Sequence, residues 1–245
     1  IEGAIEAADE VLLFVDSFTG AFRPEVVPAA ARVLRAAGAR VHCTPDACCG
    51  LTWVSTGQRE GAAARLRRLV ARLDDGSERP IVVLEPSCAA TIRDEAPRLV
   101  GGEAAARVAA RVRSFASAVR ERQRAGWRPE ADPPTSVVVQ THCHEHAAFG
   151  PQVQREVLAA WGVARIVESS SCCGVAGNFG FERAHYAVSM QVAQHSLVPA
   201  LAADPVAPVL TDGFSCSMQV QQVDPTRTGS HLAILLDPAP GILGQ

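Results

Sequence analysis

Short, continuously apolar runs alternate with helical stretches along this chain, and that alternation most constrains its fold. In the first half, the apolar runs predict strands and amphipathic spacing predicts helices between and after them. The predicted strands are 11–15, 40–42 and 80–84, and the predicted helices are 25–37, 57–73 and 103–124. Strands without a polar face, separated by helices, are typical of a parallel sheet that helices cover on both faces.

The same order returns after a linker that contains Pro129, Pro133 and Pro134. The predicted strands are 137–139, 165–167 and 209–210, and the predicted helices are 152–161 and 182–201. The sequence therefore predicts an α/β fold of two pseudo-symmetric β-α-β-α-β halves, residues 1–128 and 129–245. Each half is expected to hold a small parallel sheet with helices on both faces, and the ligand-binding edges of the two sheets are expected to face a shared region.

Composition narrows the function classes. The 23 basic residues, all of them arginine, stand against 26 acidic residues and leave a net charge of -3. Because a nucleic-acid-binding surface needs a basic excess, no nucleic-acid partner is predicted. The apolar runs fall far short of the roughly 18 residues needed to cross a bilayer, so no membrane span is predicted. The start at Ile1, without a secretion signal, predicts a cytoplasmic protein and a piece of a longer one.

Cysteine is the outlying residue type. The chain has eight, at 43, 48, 49, 88, 143, 172, 173 and 216. Each half contains a vicinal pair followed by glycine, at 48–50 and 172–174, and a single cysteine after its third strand, Cys88 or Cys216. Cytosolic proteins make little use of disulfides, so cysteines in this pattern are expected to act as ligands or catalysts. Cys43 has no counterpart in the second half and is expected to pack in the core.

The carboxyl ends of parallel strands meet at one edge of a sheet, where ligands usually bind. In the second half Cys143, Cys172, Cys173 and Cys216 follow three predicted strands, and four thiolates at one edge suit an iron-sulfur cluster or zinc. The first half offers a candidate second metal site at Cys48, Cys49 and Cys88, with Ser17 where a fourth thiol would stand.

Three further residues are expected to lie next to the ligands without binding the metal themselves. Gly50 and Gly174 would let the backbone approach a cluster closely, because a glycine has no Cβ. His144 would donate a hydrogen bond to sulfur. Free structural cysteines, a redox-active vicinal disulfide, and dinucleotide binding at the glycines of 174–180 are the alternatives that the residues leave open.

Several segments carry a family resemblance in order and spacing: VDSFT at 15–19, LEPSC at 84–88, HCH at 142–144 and CCGVAGNFG at 172–180. Together they resemble the cysteine-rich CCG domain family, which includes the B subunit of heterodisulfide reductase and the iron-sulfur subunit of glycolate oxidase. The resemblance is greatest to the C-terminal part of fused FAD-linked oxidases that also carry iron-sulfur domains.

The resemblance implies a 4Fe-4S cluster held by Cys143, Cys172, Cys173 and Cys216, with a second cluster as an option in the first half. It implies the electron-transfer part of an FAD-linked dehydrogenase for a 2-hydroxy acid such as lactate or glycolate, not the part that oxidises the substrate. The FAD would belong to a partner flavoprotein domain or subunit, and a ferredoxin-like iron-sulfur domain would be a second partner. Those partners would bring the protein to the periphery of the inner membrane.

One departure from the family pattern bears on the cluster type. In heterodisulfide reductase, the third strand of each half is followed by Cys-x-x-Cys, whereas here Thr91 and Gln219 stand at the second cysteine's positions. A disulfide-reducing, non-cubane centre is therefore not expected. The rival functions are a docking scaffold, either zinc-stabilised or metal-free, and a thiol-disulfide reductase.

Overall fold

The structure, a computed structural model, describes residues 9–45 and 47–239 and contains two four-stranded sheets. All strand pairs are parallel. The first sheet has the order β2-β1-β3-β4, with β1 (Glu10–Phe14), β2 (Arg40–Cys43), β3 (Ile81–Val83) and β4 (Val112–Ser114). The second has the order β6-β5-β7-β8, with β5 (Ser136–Val139), β6 (Arg165–Glu168), β7 (Val209–Leu210) and β8 (Gly229–Ser230).

The helices of the first half run from α1 to α8: α1 (Ser17–Phe22), α2 (Val26–Ala36), α3 (Leu51–Ser55), α4 (Arg59–Leu73), α5 (Pro86–Ala90), α6 (Ala96–Leu99), α7 (Gly102–Arg111) and α8 (Phe115–Arg124). A π-helical turn, Thr91–Glu95, joins α5 to α6. The second half has α9 (Cys143–Phe149), α10 (Val153–Trp161), α11 (Tyr186–His195), α12 (Leu197–Ala203), α13 (Phe214–Val223) and α14 (Leu232–Leu235), with a 3-10 turn at Phe179–Phe181.

The predicted fold class, two pseudo-symmetric halves with small parallel sheets, is confirmed, but each sheet has four strands where the sequence predicts three. The prediction of a single helix over 103–124 is wrong, because β4 separates α7 from α8. The Arg111 side chain is buried and donates to the carbonyl oxygens of Leu73 at 3.0 Å and Arg79 at 2.9 Å. The Ser114 hydroxyl then accepts from the Ser117 N–H at 3.1 Å and starts α8.

The second sheet shows the same kind of difference. The predicted helix 182–201 begins only at Tyr186 and is interrupted at Ser196, which separates α11 from α12. The edge strand β8 is not predicted, since Gly229–Ser230 has no apolar residue.

The two sheets share a central hydrophobic core. Leu13 of β1 and Val139 of β5 face this core, whereas their neighbours Leu12 and Val138 face separate outer cores. Helices α2, α8, α10 and α14 fill the central layer, where α8 packs on α10 and α14 packs on α2. These contacts between helices of the two halves hold the two sheets together.

The predicted boundary at residue 128 lies between α8 and β5 and stays a prediction. None of the helices in the described ranges is long and apolar enough to cross a membrane.

Candidate metal centre

The predicted ligands of the second half come together at the carboxyl edge of its sheet. Cys143 is the first residue of α9, which follows β5, and Cys216 lies in the first turn of α13, which follows β7. Cys172 and Cys173 occupy the loop after β6. Cys173 and Cys216 are buried, at 3% and 2% exposure, while Cys143 is exposed.

These four thiols interact in series. The thiol of Cys172 holds the pKa of Cys143 well above its usual value. The thiols of Cys143 and Cys173, together with the Gly174 N–H, lower the pKa of Cys172 strongly. Cys172 and Cys216 in turn hold the pKa of Cys173 far above its usual value. Hydrogen bonds between neighbouring thiols thus favour a thiolate at Cys172 and neutral thiols at Cys143 and Cys173, and a bound cationic group would be needed to stabilise these two as thiolates. This donor set fits an iron-sulfur cluster or zinc.

The glycine after each vicinal pair points its N–H at the first sulfur of that pair. Gly174 N donates to Cys172 Sγ at 3.3 Å, and Gly50 N donates to Cys48 Sγ at 3.4 Å. Both glycines have a left-handed backbone, with φ of 97° and 82°. The two halves therefore repeat the local geometry around the cysteine pair, as the repeated Cys-Cys-Gly motif indicates.

The first-half set is arranged similarly but holds three thiols. Cys49 Sγ lies 3.0 Å from Cys88 Sγ, both residues are buried, and Cys48 is exposed beside them. Ser17 is the first residue of α1 after β1, the place that Cys143 occupies at α9 after β5. The preceding residue caps the helix in both halves, through the carboxylate of Asp16 or the imidazole of His142.

Both sulfur sets line one cavity of about 740 Å³. Ser17, Cys88, Cys143 and Cys216 all contribute to its wall, which confirms that the two edges face a shared region. Cys43 is not among the residues that line it. That cysteine is exposed at the end of β2, so the expectation that it packs in the core is wrong.

Two stacked histidines border the second-half set. The rings of His142 and His144 lie 5.2 Å apart at 16°, and His142 Nδ1 accepts from the His144 N–H at 3.1 Å. Burial lowers the pKa of His142 to about 4 and also lowers the pKa of His144, so both rings are neutral at pH 7. His144 Nδ1 is buried and lacks a hydrogen-bond partner among the described residues. The ligand atoms of His142, Cys143 and His144 lie within 4.8 Å of one another and could hold a metal ion.

Glu85, a buried carboxylate that joins the two halves in the cavity wall, is not among the residues predicted from the sequence. Its Oε1 accepts from the Ser87 hydroxyl at 2.7 Å, and its Oε2 accepts from the Phe214 N–H at 2.8 Å. Glu85 thereby connects the start of α5, which carries Cys88, to the start of α13, which carries Cys216. Burial raises the pKa of this carboxyl group. A cap signal was present in the sequence, since Pro86 follows Glu85 at a helix start, but Phe214 is remote along the chain.

Replacing Glu85 by alanine is expected to lower the free energy of unfolding by about 1–3 kcal/mol, because the partly buried donors on Ser87 and Phe214 lose their acceptor. Urea unfolding followed by circular dichroism measures the change. Glu85→Gln is the matched control, since its single amide oxygen can replace only one of the two carboxylate oxygens, and an intermediate loss is expected. An alanine variant within about 0.5 kcal/mol of the parent protein would contradict this role for the carboxylate.

Comparison with known proteins agrees with this geometry. Residues 16–93 and 137–221 each match the cysteine-rich domain called CCG. One of the subunits of the anaerobic glycerol-3-phosphate dehydrogenase of Escherichia coli K12 is 22% identical over 240 residues, which cover 93% of this chain and 58% of that protein. The D-2-hydroxyglutarate dehydrogenase of Pseudomonas putida is 24% identical over 235 residues, which cover 94% of this chain and 22% of that protein.

The chain thus spans a little over half the length of the first relative and about a fifth of the second. One matched segment contains Cys48, Cys49 and Cys88, and the other contains the four cysteines of the second half. The first matched segment contains β2 and β3, the second contains β6, β7 and most of β5, and together the two segments make up most of the chain. On this evidence the chain belongs to the CCG family of cysteine-rich domains.

Proposed function

We propose that this chain is the electron-transfer part of a dehydrogenase and that Cys143, Cys172, Cys173 and Cys216 hold a 4Fe-4S cluster. The observation that carries the proposal is that all four thiols line one cavity at one sheet edge. When bound, such a cluster takes up and gives up single electrons. Membership of the CCG family and relatives that are named as dehydrogenases support the same role.

In this proposal the residues of the chain have separate tasks. The four thiolates bind the group, and burial of Cys173 and Cys216 keeps water from that side of it. The Gly174 N–H donates to the Cys172 sulfur, and hydrogen bonds to ligand sulfur raise a cluster's potential. His144, whose Nδ1 has no described partner, is the second candidate donor near the site.

The proposed partners follow from what the chain covers. Because it spans only part of each relative's length, the substrate-oxidising part would lie on a flavoprotein domain or subunit that carries FAD. A ferredoxin-like iron-sulfur domain is the second proposed partner. The proposed substrate class is a 2-hydroxy acid of the lactate or glycolate type, and 2-hydroxyglutarate, named in one relative, is a 2-hydroxy acid. The proposed location is the cytoplasm, with contact to the inner membrane through partners.

The first half is proposed as a second metal site, formed by Cys48, Cys49 and Cys88 with Ser17. The close Cys49 and Cys88 sulfurs and the equivalent places of Ser17 and Cys143 support it. A serine hydroxyl is a weaker ligand than a thiolate, because it loses its proton far less readily. A cluster in the first half would therefore be lost more easily than one in the second.

Iron and acid-labile sulfide per chain, measured on anaerobically purified protein with an EPR spectrum after dithionite reduction, test this function. About four of each with a reduced-cluster signal is the expected result for one 4Fe-4S cluster, and about eight is expected if the first half is loaded. The rival is zinc at the His142, Cys143 and His144 group. Protein that contains zinc and takes up no iron on anaerobic reconstitution would overturn the electron-transfer proposal in favour of a zinc-stabilised scaffold.

A further inference from the structure

We propose that a second cavity, at the carboxyl-terminal end of α9, binds a phosphate group of a small molecule. The cavity has a volume of about 400 Å³ and lies between α7, β4, α8, the π-helical turn and the end of α9. None of the cysteines lines it, so this inference does not depend on the function of the sulfur site. Its volume lies within the range of about 300–1,000 Å³ that is usual for small-molecule sites.

Three arginines from three different elements line this cavity: Arg93 from the π-helical turn, Arg113 from β4 and Arg120 from α8. Among the described residues that line the cavity, Glu121 is the one carboxylate, and it accepts from Arg113 Nε at 2.9 Å. Asp94 and Glu156 lie 4.0 Å from Arg93 and 3.5 Å from Arg120, so each guanidinium group has one carboxylate nearby. The inference of an anion therefore rests on the guanidinium N–H groups that these carboxylates leave without an acceptor.

The arginines keep N–H groups available for a ligand. Arg120 Nε is buried and has no hydrogen-bond partner among the described residues, while its Nη1 lies 3.5 Å from Glu156 Oε2. Arg113 Nη1 donates to the carbonyl oxygens of Ala110 and Val112, both at 3.0 Å, and its Nη2 makes no described hydrogen bond. A buried donor without an acceptor is costly, and a bound anion would supply the missing acceptor.

The planar guanidinium group of Arg93 stacks on an aromatic ring through its face, and this contact leaves its edge open. Its guanidinium carbon lies 4.9 Å from the centroid of the Phe149 ring. The carboxylate of Asp94 is 4.0 Å away, which is too long for a hydrogen bond. Stacking on an aromatic ring leaves the N–H groups at the edge of a guanidinium able to bond a ligand.

The number of donors favours phosphate over a carboxylate. Guanidinium groups bind both anions through paired N–H···O bonds. A phosphate monoester offers three oxygens that share its charge on one centre, one for each of the three arginines. One carboxylate group offers two oxygens, so a dicarboxylate such as malonate matches the charge of phosphate but not its three clustered oxygens. Because the cavity is roomier than a bare phosphate ion requires, we infer that the natural ligand is a phosphate monoester whose organic part also occupies the cavity.

Titration calorimetry of the whole chain with inorganic phosphate, at constant ionic strength, tests this site, and malonate serves as the carboxylate probe. The expected result is saturable binding of one phosphate per chain, tighter than that of malonate. Arg93→Gln and Arg120→Gln are each expected to weaken phosphate binding about tenfold, the effect of losing one charge-assisted hydrogen bond. Arg68→Gln, at an exposed position of α4 outside this cavity, is the matched control and should leave the affinity unchanged.

Three results would overturn the proposal: phosphate that does not saturate, malonate that binds more tightly than phosphate, or an Arg68→Gln variant that loses as much affinity as the others. Arg93 is partly exposed and bonds no other element, so its variant is expected to fold even if Arg120→Gln does not. Equal thermal stability of the Arg93→Gln variant and the parent protein would show that the lost affinity belongs to the site.

Discussion

Replacement of Cys173 by serine is expected to remove nearly all iron from the second half of this protein. Cys173 stands in the middle of the thiol series, between Cys172 and Cys216, and is only 3% exposed. A serine hydroxyl at this place cannot supply a thiolate, and water cannot easily reach the position to serve as a replacement ligand. We expect iron from the second half to fall from about four atoms per chain to fewer than about one.

Metal analysis and visible absorption of anaerobically purified protein measure this loss, with far-ultraviolet circular dichroism to check the fold. Cys43→Ser is the matched control, because that cysteine is exposed and lies outside the cavity lining. Cys216→Ser should match Cys173→Ser, since Cys216 is the buried end of the series. Full iron in both of these variants would contradict the assignment of the ligands.

Cys88→Ser separates the two halves in the same measurement. Its thiol contacts Cys49 and takes no part in the second-half series. If only the second half is loaded, the iron content of this variant should equal that of the parent protein. A loss of about half the iron is expected if the first half also holds a cluster.

The sheets and their ligand-bearing edges could be predicted because each depends on local pattern. Strands such as Ile81–Val83 are continuously apolar, and parallel topology then brings Cys88 and its counterpart Cys216 to the ends of equivalent strands. The edge strands could not be predicted in this way. Val112–Ser114 lies inside an alanine- and arginine-rich stretch that keeps helical spacing, and Gly229–Ser230 has no apolar residue.

The contacts between the halves could not be predicted from the sequence for a different reason. Glu85 and Phe214 bond across the cavity wall, and Arg93 stacks on Phe149, although each pair joins residues of different halves. Such pairings depend on how the two sheets pack. Periodicity within one half carries no information about that packing, so only the structure identifies these residues.

The loop that carries Cys172 and Cys173 depends on glycine at one position, and replacement there is expected to be severe. Gly174 has φ of 97°, and a Cβ built on it would lie 2.3 Å from the carbonyl oxygen of Ser189 in α11. The backbone of Ser189 cannot move away from the added methyl group as easily as a flexible side chain could. We expect Gly174→Ala to lower the free energy of unfolding by about 2–5 kcal/mol, the sum of the left-handed backbone strain and the overpacking.

Gly177→Ala separates these two causes. Gly177 lies in the same loop with φ of 71°, but nothing lies within 4 Å of a Cβ built there. This variant should carry only the backbone strain, about 1–2 kcal/mol. Urea unfolding of both variants without bound metal measures the difference, and equal losses would contradict the close approach of the loop to α11. Because that approach also fixes the cysteine pair over the sheet edge, Gly174→Ala should bind less iron than Gly177→Ala after anaerobic reconstitution.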